Sequence, residues 1–180
     1  KGSSTSEIHT QANDLKYGSV LYELYQGYTF EALSALNVAK LKGGITGHNS
    51  HPALIEGSLM LTYGMTQEAK LLFESLLLDE TSVDHEIVSE DSRNQAWFYL
   101  GKVLMLEQNF KASMEALEHV DSNLLQESHP EIFNEWLYLK ALIAGELRSD
   151  ITKKIEPSLS STQINDAVAS AKQAKKPKKF

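Results

Sequence analysis

Two stretches of this chain share one grammar, "ALIEGSLMLTYGMTQEAKLLFESLL" from Ala53 to Leu77 and "AWFYLGKVLMLEQNFKASMEALEHV" from Ala96 to Val120. Each carries two apolar patterns of helical period separated by a short polar break. A break of two or three residues leaves consecutive helices no choice but to fold back antiparallel. The feature therefore constrains the chain to all-α structure built from stacked helical hairpins.

The same pattern extends outward from this centre. Residues 1–13, "KGSSTSEIHTQAN", are polar and without period and read as a lead-in. Tyr17, Val20, Leu21 and Leu24 then follow i, i+3, i+4, i+7, and after Gly27 the stripe resumes with Ala32, Leu33 and Leu36. The predicted pairs are about 14–41, 52–78 and 92–120. Pro52 suits a first helical turn, and Ser92 with Gln95 has the spacing of a capping box. A fourth, degenerate unit is expected over 130–148 with Trp136, Leu139 and Ile143, loosened after Gly145. Residues 149–180 read as a linker, a weak helix opened by Ser160 and Gln163, and a basic tail.

Within the pairs, Trp97, Leu100, Gly101 and Leu104 precede Ser113 and Leu117, and Ala53, Glu56, Gly57 and Met60 precede Ala69 and Phe73. This spacing resembles the tetratricopeptide repeat, W-x2-L-G-x2-Y followed by A-x3-F in a period of about 34 residues. Small residues at Gly57, Ala69, Gly101 and Ser113 would let paired helices cross closely, with large ones on either side. In the first pair the match is Tyr17, Val20, Leu21 and Leu24, then Ala32 and Leu36, with a turn one residue shorter. Gly57 and Gly101 are 44 residues apart, some ten beyond the family's ~34, and the acidic segment 79–94 supplies the surplus. Aligning Trp136 with Trp97 places Lys140 where Gly101 stands.

The resemblance implies a short solenoid whose first helices line a concave groove for a segment of another protein. Carried over by position, that lining is Leu54, Ser58 and Leu61 in the second pair, Phe98, Lys102 and Met105 in the third, and Tyr22 and Tyr25 in the first. It lacks the Lys, Asn and Arg set by which some relatives clamp a terminal carboxylate, so an extended or helical segment with apolar anchors is the expected ligand. The chain's own residues 160–174 are the competing occupant. The likeness to exported bacterial repeat proteins, with the absence of an initial Met, points to a periplasmic or otherwise exported protein; the cytoplasm is the alternative.

Charge and chemistry narrow the functions further. The net charge of −7 is split: residues 151–180 hold seven Lys against Glu156 and Asp166, which leaves −12 on the rest. An acidic body disfavours nucleic acid, since phosphate binding needs a basic surface. Membrane contact is expected only through the tail "KQAKKPKKF". With no cysteine, disulfides, thiolate nucleophiles and the common zinc sites fall away. His48 and His51 in "GHNSHP" have no third ligand nearby, His85 has no partner four residues on, and the acids of 79–91 lack a calcium loop's pattern. No phosphate-binding, dinucleotide or nucleophile-elbow motif is present. The sequence thus predicts an adaptor or assembly scaffold without cofactor, metal or chemistry of its own. A self-associating structural subunit, or a weak metal-binding or enzyme-accessory module, are the alternatives.

Overall fold

In the computed structural model, residues 14–48, 51–78 and 88–155 are described, without the side chains of 151–155. The lead-in, residues 79–87 of the acidic segment and residues 156–180 lie outside them, as do the weak helix and basic tail expected there. Every regular element among the described residues is a helix: α1 Leu15–Tyr25, α2 Thr29–Leu41, α3 His51–Thr62, α4 Thr66–Leu78, α5 Glu90–Leu106, α6 Phe110–Glu118, α7 Ser122–Ser128 and α8 Pro130–Ile155. The all-α hairpin architecture read from the sequence is the one observed.

Three hairpins, α1–α2, α3–α4 and α5–α6, are closed by the same three-residue turn. Its middle residue is left-handed each time, with φ of +80° at Gly27, +73° at Gly64 and +60° at Gln108. The N–H groups of Tyr28, Met65 and Asn109 donate to the carbonyls of Glu23, Met60 and Leu104, all at 2.9 Å. Those of Gly27, Gly64 and Gln108 donate to Leu24, Leu61 and Met105. The paired bonds are a Schellman closure, which satisfies carbonyls that a helix end otherwise leaves open.

The turns correct the expectation for the first pair. All three breaks have equal length, so Val20 occupies the place of Gly57 and Gly101, and the turn is not shorter. The second helices match as expected, with Ala32, Ala69 and Ser113 in one position and Leu36, Phe73 and Leu117 in the next.

The small residues stand where the helices cross. A Cβ on Gly57 would lie 2.5 Å from Phe73 Cε1, and one on Gly101 2.5 Å from Leu117 Cδ2. Ser113 Oγ donates to the Gly101 carbonyl at 2.7 Å, a buried polar group satisfied across the crossing. Phe73, Phe98 and Leu117 are fully buried, each contributing about 1.5–3 kcal/mol of hydrophobic stabilisation.

The hairpins stack in chain order. One apolar cluster joins α1 and α2 to Leu59 of α3, a second joins α3 and α4 to Ala96, Leu100, Val103 and Leu104 of α5, and a third joins Phe98 and Leu117 to Trp136, Leu139 and Ile143 of α8. Glu56 sits in the first interface at 1% exposure, and Lys40 of α2 reaches its Oε2 at 2.6 Å. That contact is close enough to neutralise the carboxylate even though Oε2 lacks a bond of good geometry.

The elements differ from expectation in three places. Ser89, not Ser92, caps α5 by accepting the Ser92 N–H at 3.1 Å; Ser92 is inside the helix, and Gln95 bonds Asp91 instead of closing a capping box. The short α7 was not expected, because seven residues carry too little periodicity to register. Asp121 caps it, and the Asn94 amide clamps the Asp121 backbone at 2.7 and 2.9 Å. Finally, α8 continues through Gly145 to Ile155, so Gly145 does not end it and the expected boundary at 148 falls inside a helix. One glycine costs only about 1 kcal/mol against alanine, too little to break a helix packed on its neighbours.

Candidate partner-binding cleft

Stacking places α3 against α5 and α5 against α8. Between them opens a cleft of about 340 Å³, lined by Ser58, Leu61 and Thr62 of α3, Tyr99, Lys102 and Leu106 of α5, and Glu135 of α8. Tyr99 forms a half-buried wall of it. Its ring stacks on Phe73 at 5.2 Å and meets Phe98 edge-on at 5.1 Å. Burial pushes its phenol up to about 12, helped by Glu135 and Glu131, so the hydroxyl remains a proton donor across the physiological range.

Lys102 spans the cleft. Its Nζ meets Glu135 Oε1 at 2.6 Å and lies 5.5 Å from the Phe98 ring centre and 5.8 Å from that of Tyr99. The ammonium is therefore held between a carboxylate and two π faces. The Ser58 and Thr62 hydroxyls already donate to the carbonyls of Ile55 and Ser58. A ligand thus meets an apolar strip from Leu61 and Leu106, one phenol donor and one ion pair. No nucleophile stands beside a base among these seven residues.

Of the eight positions carried over from the repeat pattern, Ser58, Leu61 and Lys102 line this cleft. The other five do not. Leu54 and Phe98 are buried at 3% and 0% exposure as core, and Met105 packs against the cluster that holds α8. Tyr22 and Tyr25 are exposed on α1, and neither lines the cleft. By turn register Leu21 matches Ser58 and Lys102, Leu24 matches Leu61, and Tyr25 matches Thr62 and Leu106; Leu21 is buried and Tyr25 is exposed. Thr62, Tyr99, Leu106 and Glu135 are not among the eight; Thr62, Tyr99 and Leu106 each directly follow one that is, Leu61, Phe98 and Met105.

Trp97 is half-buried, stacked on His119 at 4.3 Å, and borders a smaller cleft of about 180 Å³ with Glu90, Arg93, Asn94, Asp121 and Leu124. His48 and His51 both pack on Tyr17, whose hydroxyl bonds His51 Nδ1. Burial pushes the Tyr17 phenol up and the His51 imidazole down. Among the described residues no three His, Asp or Glu converge as metal ligands, and no helix is long and apolar enough to cross a membrane.

No family model matches the sequence, and no curated protein or solved structure matches it significantly. The tetratricopeptide resemblance therefore rests on the residues of the chain alone.

Proposed function

We propose that this chain is a protein-interaction module, an adaptor or assembly scaffold of tetratricopeptide type, that takes a partner segment into the cleft between α3, α5 and α8. The observation that carries the reading is the lining itself: three helices from three successive units contribute to one concavity, as a segment laid across a stack of hairpins requires. Its chemistry favours a segment with an apolar side chain against Leu61 and Leu106 and a polar group able to exchange with the Lys102–Glu135 pair.

Random peptides displayed on phage and selected against the intact chain test this. Selected peptides should bind the parent and lose at least about tenfold in affinity, ~1.4 kcal/mol, on Leu106→Glu, whose side chain is 54% exposed in the parent. Lys102→Glu, which sets two carboxylates against each other, should do the same. Peptides that bind both variants as well as the parent would remove the cleft from the proposal.

A further inference from the structure

α8 is apolar on two opposite sides. Trp136, Leu139 and Ile143 face α5 and α6 and are buried. On the other side of the same turns stand Leu137 at 48%, Tyr138 at 67% and Leu142 at 40% exposure, with Ala141 exposed between them. A helix that is apolar all round belongs in an interior, whereas a surface helix presents a polar outer face. Nothing among the described residues covers this one.

The other units show what is expected there. Each of α1, α3 and α5 is the first helix of a pair, and a second helix folds back on it. α8 packs on α5 and α6 as α5 packs on α3 and α4, which makes α8 a first helix as well, with its second helix unaccounted for.

We propose that residues 160–171 of this chain fill that place, folding back along α8 over Leu137, Tyr138, Ala141 and Leu142. The chain continues directly from Ile155, and residues 156–180 leave room for a second helix as long as the 13 residues of α2 or α4. Ser160 and Gln163 have capping-box spacing, and Ile164, Ala167, Val168 and Ala171 follow i, i+3, i+4, i+7. Charge agrees with the direction: an antiparallel return carries Lys172, Lys175 and Lys176 toward the start of α8, where Glu127 and Glu131 are exposed. This place is separate from the cleft, and failure of the inference leaves the cleft reading untouched.

The absence of cysteine makes the test clean. Ala141→Cys in the full chain reports the accessibility of the face through its rate of reaction with a maleimide. The same substitution combined with Ile164→Asp and Val168→Asp removes the apolar stripe of the returning segment and keeps every residue of α8's packed side. The expected result is labelling about tenfold slower in the first protein than in the second, as for a site that must open locally to react, and independent of protein concentration. Equal and fast rates would show the face open and overturn the proposal. Slow labelling in both would overturn it too, and if dilution speeds that labelling, a second copy of the chain is the cover.

Discussion

Gly57→Ala puts the hairpin crossing to a direct test. The methyl group would lie 2.5 Å from Phe73 Cε1 and closer still to Cζ, where carbon atoms prefer about 3.5–4.0 Å. The ring must withdraw by roughly 1 Å, and it has no room: Phe73 is fully buried and stacked face to face on Tyr99. Alanine in place of glycine gains about 1 kcal/mol of helix propensity, while overpacking a rigid core costs about 1–3 kcal/mol. The net expectation is a loss of up to about 2 kcal/mol. The decisive quantity is the coupling. In a Phe73→Ala background the methyl group faces a truncated side chain, the clash is relieved, and the same Gly57→Ala should turn neutral or stabilising, an interaction energy of about 1–3 kcal/mol in the cycle. Urea unfolding followed by far-ultraviolet circular dichroism measures all four proteins, and a constant m value shows that the midpoints compare stability alone. Gly57→Ala as stable as the parent, or equally costly with and without the Phe73 ring, would refute the argument that this glycine exists to admit that side chain.

The turn makes a paired prediction: Gly64→Ala should lose about 1–2 kcal/mol and Gln108→Gly should gain up to about 1, since both sites have positive φ and only glycine adopts it without cost; urea midpoints shifting in the same direction would contradict it. At the first interface, Lys40→Met strands the Glu56 carboxylate and should cost about 1–3 kcal/mol, moderated because Lys40 is 56% exposed. Glu56→Leu removes the buried charge and should cost less; the reverse order in thermal melts would count against the pair. His51 is held below its ordinary 6.5, first by burial and then by His48 and His129, so the unfolded chain takes up the proton first. Its contribution to stability is complete above about pH 6.5 and is lost as pH falls below it toward the lowered folded value. His51→Gln should flatten the stability profile in that acidic window; an unchanged slope would assign it to other groups.

The hairpins were legible because period and punctuation agree. Helical stripes, a polar break and a small residue opposite a large one all specify the same antiparallel pair, and Gly57 and Gly101 lie against Phe73 and Leu117. The repeated turn was legible only in part. Gly27 and Gly64 announce a left-handed residue, but Gln108 does not, and its conformation is imposed by the closure around it. Ends were less legible than middles: Ser89 and Ser92 both offer a hydroxyl, and the choice depends on which one the backbone leaves non-helical.

The cleft is less legible in the sequence for a geometric reason. A one-residue slip turns a helix position through about 100°, and on a helix with neighbours on several sides that exchanges lining for core. Phe98 and Tyr99 are the case in point. Both are aromatic and adjacent, yet Phe98 is packed between α5 and α8 at zero exposure while Tyr99 lies against Phe73 and opens on the cleft. Composition does not separate them; the difference lies in how the third hairpin is set against the second. Glu135 has the same origin, since its place at the rim follows from α8 lying beside α5 and its pairing with Lys102 at 2.6 Å. A groove assembled from successive hairpins is thus a property of their stacking, and its lining changes with the stacking angle even when each hairpin is unaltered. A substitution at the Gly57 crossing that shifts Phe73 should therefore reach the cleft through Tyr99, weakening a bound peptide without touching it.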